Sequence, residues 1–354
     1  MRILMVASPI VSLRQPFKGG TEAFVANLAN ALCKKGHTVD VLCKKGHTVD
    51  VLCKDADEEN EFNILQLDES PLRMKDNITT EEEGQKLYQA AQFALIDNSY
   101  YDVVHYHSYY HALYDVALLH NIKSVITLHA PVSPKLGLIH KLHKARSDHR
   151  YIAVSNRLCK EWEAHLGSAI KVISNGVTLP KSECVQKINK THDLFWMGRI
   201  NAEKDLVSAI KIAQKLQRKL CIAGPVEDRE YFNAHVEPLL TDSIYYIGHL
   251  KHDELFTQLA KSCLFLATSK WNEPFGLTTI EALAHGIPVV GFKTAIPEEL
   301  RFSNVCTALN NVDEAVSAIK KLGKVSPQAC QSFAKNFDFN VTVSNYEAEY
   351  AALI

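Results

Sequence analysis

The chain has 354 residues, 47% of them apolar and 22% charged, with a formal net charge of −1. That balance suits two soluble domains of ordinary size, each able to bury its own core, and it excludes the strongly basic kind of nucleic-acid binder. Nine cysteines are scattered without C-x-x-C pairing, a pattern that fits reduced thiols better than a disulfide framework.

The elements follow in chain order. The opening MRILMVAS is too short for a signal segment and predicts a buried strand over Arg2–Ala7. No apolar run approaches the roughly eighteen residues needed to span a bilayer, so the cytoplasm is the expected location. A loop leads to Gly19-Gly20, and a helix is expected over Thr21–Leu32 with Phe24, Leu28, Ala31 and Leu32 on one face. Strand, paired glycines and a helix N-terminus can cradle an anion, although the dinucleotide fingerprint G-x-G-x-x-G is absent and a plain flexible turn is the alternative. Cys33–Leu42 is repeated letter for letter as Cys43–Leu52. The first copy suffices for a helix end and a strand at Thr38–Leu42. The second is expected to be absorbed either as a hairpin through Lys44–His47 or as a loop. Asp55-Ala56-Asp57 invites a metal reading but fits a solvated acidic loop.

Strands are expected at Phe62–Leu67, Val103–Tyr106 and Ser124–Leu128, with helices at Glu81–Asn98 and Tyr109–His120. Such alternation builds a parallel sheet, and ligands collect at the carboxyl ends of its strands. His129 stands at such an end, and His105 and His107 are candidates to line an acceptor cleft. Lys135–Arg150 sets Lys135, His140, Lys141, His143, Lys144, Arg146, His149 and Arg150 against a single acid, Asp148. Leu136, Leu138, Ile139 and Leu142 give this segment an apolar side. A solvated helix face is the simplest reading, and a contact with an anionic acceptor or an anionic membrane surface is the other. A strand at Tyr151–Val154, a helix capped by Ser155 and running to Leu166, and a strand at Lys171–Ile173 lead to Ser174-Asn175-Gly176-Val177. Polar residues up to Thr191 form the expected linker.

The second half begins with a strand at Leu194–Met197 and the segment Gly198-Arg199-Ile200-Asn201-Ala202-Glu203-Lys204. Arg199 and Lys204 could reach one diphosphate, the first as a planar fork and the second as a point charge. Strand ends at Ala223, Ile247 and Ala267 share the same rim. The stretch WNEPFGLTTIEALAHGIPVVG, Trp271–Gly291, reads as loop, helix, turn and buried strand. The helix beginning at Leu277 presents backbone N–H groups to an anion, and Glu273 and Glu281 beside it read either as a solvated pair of surface acids or, the preferred reading, as acceptors for sugar hydroxyls.

Glu273, seven intervening residues and Glu281, with Pro-Phe-Gly after the first acid, resembles the donor-site motif of retaining glycosyltransferase family four, of the GT-B fold. The resemblance implies two Rossmann-like doubly wound parallel-sheet domains, α/β in class, facing across a cleft. It implies that Glu281 binds ribose hydroxyls, that Glu273 touches the transferred sugar, and that the amides of Phe275, Gly276 and Leu277 meet the sugar and the diphosphate. Gly19-Gly20 is similar to the loop over the donor phosphates, with Glu22 the usual acid there. Arg199 and Lys204 resemble the family's cation pair, with Asp205 replacing the usual glycine and setting an acid beside the lysine. His129 would lie against the transferred sugar. Asn175-Gly176-Val177 is similar to the end of the family's first domain, with Thr178 where an aspartate is common.

The expected domains are residues 1–177 with 337–354, the last segment returning as a C-terminal helix, and residues 178–336 for the nucleotide sugar. The expected activity is metal-independent, retaining transfer from a nucleoside-diphosphate sugar to an unidentified acceptor, with Glu273, His129, Arg199 and Lys204 catalytic. No cofactor beyond that co-substrate and no nucleic acid is expected. An anionic or membrane-associated acceptor would place the protein at the inner face of the membrane. The alternatives are a non-catalytic sugar-nucleotide or glycan-binding module and a sugar-nucleotide epimerase on the same scaffold.

Overall fold

The computed structural model describes residues 1–8, 11, 13–44, 61, 63–67, 81–108, 110–111, 113–114, 122–145, 148–180, 189–301 and 305–354. They fall into two compact units, Met1–Ser174 with Thr342–Ile354, and Asn175–Val341.

The first unit is built on a parallel sheet: β1 (Arg2–Val6), β2 (Thr38–Lys44), β3 (Asn63–Leu67), β4 (Val103–Tyr106), β5 (Ser124–Leu128), β6 (His149–Ala153) and β7 (Lys171–Val172). Their spatial order is β3-β2-β1-β4-β5-β6-β7. Helices cover the faces, so these strands read as continuous apolar runs rather than alternating ones; every residue of β4 and β5 is buried. The helix Gly20–Lys34 buries Phe24, Val25, Leu28 and Leu32. Asn156–Leu166 starts where Ser155 Oγ accepts the Leu158 N–H at 3.3 Å and stops at Gly167, which is left-handed at φ +67°. Thr342–Ile354 completes this unit: Thr342 Oγ1 donates to the Ser174 carbonyl at 3.0 Å, and Glu347 takes His37 Nε2 at 2.8 Å.

The second unit repeats the plan with β8 (His192–Met197), β9 (Leu220–Ala223), β10 (Ile244–Tyr246), β11 (Ser262–Ala267), β12 (Val289–Phe292) and β13 (Cys306–Leu309), in the order β10-β9-β8-β11-β12-β13. Leu194, Ile222, Leu264 and Leu266 pack against Leu206, Ile210, Ala315 and Ile319 of two covering helices. Each such fully buried aliphatic side chain contributes about 1.5–3 kcal/mol. In both sheets the order reverses beside the first strand, between β1 and β4 and between β8 and β11. Such reversals open crevices at the carboxyl ends of the strands.

Several expectations meet the structure here. β2 runs beyond the first repeat copy to Lys44, and it has β1 on one edge and β3 on the other. A hairpin partner therefore has no free edge on β2 over Asp40–Leu42. Residues 45–52 of the second copy, Asp55-Ala56-Asp57, most of the Tyr109–His120 segment and much of the 177–191 linker lie outside the described residues. The helix expected to Asn98 ends at Leu95.

The basic segment after β5 corrects its expectation. It folds as the helix Pro134–His143, but Leu138 and Leu142 are 61% and 59% exposed, whereas His140 and His143 are buried.

Candidate active site

In the second unit the site forms where β8 and β11 diverge. After β8, Arg199 Nη1 donates to Glu227 Oε1 at 2.6 Å. Asn201 Nδ2 donates to Glu227 Oε2 at 2.6 Å, while its Oδ1 accepts the Lys204 backbone N–H at 3.0 Å. Lys204 Nζ in turn pairs with the carboxylate of Glu273, on the loop after β11. Arg199, Glu227, Asn201, Lys204 and Glu273 thus form one polar chain across the crevice. Both expected cations are held by acids, Lys204 in a mostly buried pair and Arg199 in an exposed one.

Asp205 does not sit as an acid against Lys204. It adopts the left-handed conformation, φ +48°, at the start of the helix Leu206–Leu216. That geometry is what a glycine would supply, and aspartate is among the few other residues that tolerate it. Its Oδ2 accepts from Ser208 Oγ at 2.6 Å and lies 3.2 Å from Lys270 Nζ.

The loop before the helix Leu277–Ala284 is tied down by Glu273 N–H to Thr294 O, 2.9 Å, and by Thr294 Oγ1 to Ser269 O, 2.5 Å. Gly276 turns the chain at φ +79°, and a Cβ there would meet Pro297 Cδ at 2.9 Å. The helix then starts with no side-chain cap, so its first amides remain available to an anion. Ile280, Leu283 and Ala284 form the buried face, and Phe275 packs edge-on to Phe337 at 5.8 Å. Glu281 lies in the second turn. Its densely packed surroundings push the carboxyl up to about 7, because burial penalises the charged form.

In the first unit the loops after β4 and β5 bring two expected histidines together: His107 Nδ1 lies 3.0 Å from His129 Nε2, both side chains buried. Phe24, from the helix after Gly19-Gly20, packs on both rings at 5.9 and 5.6 Å. Burial lowers His129 to about 3 and holds His107 well below 6.5, so the pair is neutral. The His107 Nε2 is buried and has no hydrogen-bond partner among the described residues. His105 has a different place. It is wholly buried, with Nδ1 2.7 Å from Tyr350 Oη and Nε2 2.7 Å from Thr127 Oγ1, so its ring is spent inside the domain and lines no cleft. At Gly19 the Glu22 carboxylate folds back over the glycine, so close that a Cβ would meet Oε2 at 2.8 Å.

Sequence patterns did not reveal Glu227. It follows β9 with no spacing signature, and only the fold brings it to Arg199. Asn201 lies within the segment already singled out, but its bridging role needs coordinates. Among the described residues no group of three or more His, Cys, Asp or Glu could hold a metal ion.

The family model described as Glycosyltransferase Family 4 matches residues 18–180, and that described as Glycosyl transferases group 1 matches residues 182–337. The chain belongs to this glycosyltransferase family, with the two-domain GT-B class of fold. Glycogen synthase of Mycobacterium tuberculosis is 27% identical over 214 residues, 53% of this chain and 51% of that protein. The chain thus spans about half the length of the curated relatives it matches. Among solved structures, sucrose-phosphate synthase of Thermosynechococcus elongatus superposes with a TM-score of 0.74 at 17% identity, covering 100% of this chain and 99% of that one. Anabaena HepE in complex with UDP-glucose gives 0.70 at 18% identity, covering 100% of both chains. At such identities these likenesses speak for the fold alone.

Proposed function

We propose that the protein transfers a sugar from a nucleoside-diphosphate sugar to an acceptor hydroxyl, with retention of the anomeric configuration and without a divalent metal. The observation that carries this reading is the Lys204–Glu273 pair at the β8/β11 reversal, directly before an uncapped helix N-terminus. The HepE neighbour was crystallised with UDP-glucose, and a donor of that chemistry suits this site. The diphosphate exchanges for Glu273 on Lys204 and for Glu227 on Arg199, and it meets the amides of Phe275, Gly276 and Leu277.

The C1–O bond to the diphosphate then breaks, and the electron pair leaves with the diphosphate. Lys204, Arg199 and the helix end neutralise that charge; charge-assisted bonds are worth roughly 1.5–3 kcal/mol each, and a helix end up to about 2 kcal/mol. The acceptor oxygen attacks C1 from the face the diphosphate leaves, passing its proton to a departing phosphate oxygen. Glu273, released from Lys204, holds sugar hydroxyls, and Glu281 holds those of the ribose. Reduced thiols and a nucleotide-sugar donor suit a cytoplasmic setting, and no described helix is long and apolar enough to cross a membrane.

Isothermal titration with a panel of nucleoside diphosphates in excess chelator tests the reading. At least one should bind, and Lys204→Ala should weaken it at least tenfold, about 1.4 kcal/mol. Binding that requires a divalent ion, or that ignores Lys204, overturns it.

A further inference from the structure

The helix Pro134–His143 in the first unit is folded the reverse of what its sequence favours in water. Ser133 Oγ caps it by accepting the Leu136 N–H at 3.4 Å, and Pro134 opens it. The inner face carries Leu136, Gly137, His140 and His143. His140 packs against Tyr114, Tyr151 and Trp162, with ring centroids 4.7, 5.3 and 5.2 Å away. His143 Nδ1 is 3.1 Å from His149 Nε2. Gly137 presses so closely on the neighbouring helix that a Cβ would meet His165 Nε2 at 2.7 Å.

Burying imidazoles while exposing leucines costs free energy in water, since the polar groups are desolvated and the apolar ones are not. At about 100° per residue, Leu138 and Leu142 lie side by side at the middle of the outer face. Lys135 flanks them on one side and Lys141 on the other, all four exposed. Lys144 turns away from this face, its Nζ donating to the Leu166 carbonyl at 2.7 Å. Apolar side chains between lysines, on a helix lying along the protein surface, match the interface of an anionic bilayer: the leucines enter the acyl boundary and the lysine stems reach up to the phosphates.

We infer that the Pro134–His143 helix is an in-plane docking element for an anionic membrane surface, with Leu138 and Leu142 inserted and Lys135 and Lys141 paired with lipid phosphates. The charge complementarity is local, because the whole chain carries a net charge of −1.

Sedimentation of the full chain with vesicles of phosphatidylcholine, with and without phosphatidylglycerol, tests this. Binding should be at least tenfold stronger to the anionic vesicles and should fall with added salt. Leu138→Ser with Leu142→Ser, and separately Lys135→Glu with Lys141→Glu, should each reduce it at least tenfold while leaving the circular dichroism and thermal midpoint unchanged. Absence of binding to anionic vesicles overturns the inference. So does binding that survives the leucine changes, which would mean electrostatic adsorption alone. A chain that self-associates through these leucines and ignores vesicles would assign the face to a second copy instead.

Discussion

Lys204 is ion-paired with Glu273, so the ammonium proposed to meet the diphosphate is held by the acid proposed to meet the sugar. The pair joins two loops that leave the sheet on either side of its reversal. On the proposed reading donor binding separates them, and each charge then takes a new partner.

This exchange predicts opposite effects on binding and turnover. Glu273→Gln leaves Lys204 without its anion, so a nucleoside diphosphate should bind several-fold tighter, whereas turnover of the sugar donor should fall at least tenfold, about 1.4 kcal/mol. Titration alongside steady-state kinetics separates the two. Equal losses in both would mean that the pair merely scaffolds the loop.

Glu281 supplies a pH test. Its carboxyl is raised to about 7, and on the proposed reading ribose hydroxyls donate more strongly to the ionised form than to the neutral one. Affinity for a nucleoside diphosphate should therefore be level above pH 7 and fall by up to tenfold per unit below it. Glu281→Gln should bind more weakly at pH 8 and lose this slope. Calorimetry at pH 6, 7 and 8 reads both.

Asp205 tests the backbone. Its left-handed conformation costs alanine roughly 1–2 kcal/mol, and alanine also gives up the bond to Ser208 and the contact with Lys270. Asp205→Ala should destabilise the protein by about 2–3 kcal/mol. Asp205→Gly exchanges strain relief against the same losses and should stay within about 1 kcal/mol of the parent. Urea unfolding of the three proteins ranks them.

The buried imidazoles predict acid sensitivity. His105, His107, His129 and His140 are all depressed by burial, so they stay neutral in the folded chain while the unfolded chain takes up protons below about pH 6.5. Their contribution is fully present above pH 6.5 and is lost as pH falls towards the folded values. Each costs up to about 1.4 kcal/mol per pH unit over that range. Scanning calorimetry from pH 7.5 to 5 should find a falling midpoint, with a shallower fall in His140→Phe.

Much of the fold was legible because buried parallel strands betray themselves as unbroken apolar runs. Val103–Tyr106 and Ser124–Leu128 were placed to the residue. The same uniformity concealed the fate of His105. In a strand covered on both faces no alternation marks which way a polar residue points, and only the fold pairs it with Tyr350 and Thr127. For the site, the spacing of Glu273 and Glu281 around a glycine turn could be read directly. Glu227 could not, since its meeting with Arg199 depends on how the turn after β9 comes back to β8. The helix Pro134–His143 escaped for another reason. Periodicity locates an apolar stripe but does not say which medium will cover it.

Tyr346 and Tyr350, which bond to Thr127 and His105, are synthesised only after every residue of the second unit. Until then Thr127 Oγ1 and His105 Nε2 have only each other, and His105 Nδ1 lacks the Tyr350 hydroxyl that meets it in the folded unit. The first unit therefore closes only when the segment that follows the second unit returns to it, and a truncation that spares every catalytic candidate but removes Thr342–Ile354 should yield an N-terminal half that fails to mature.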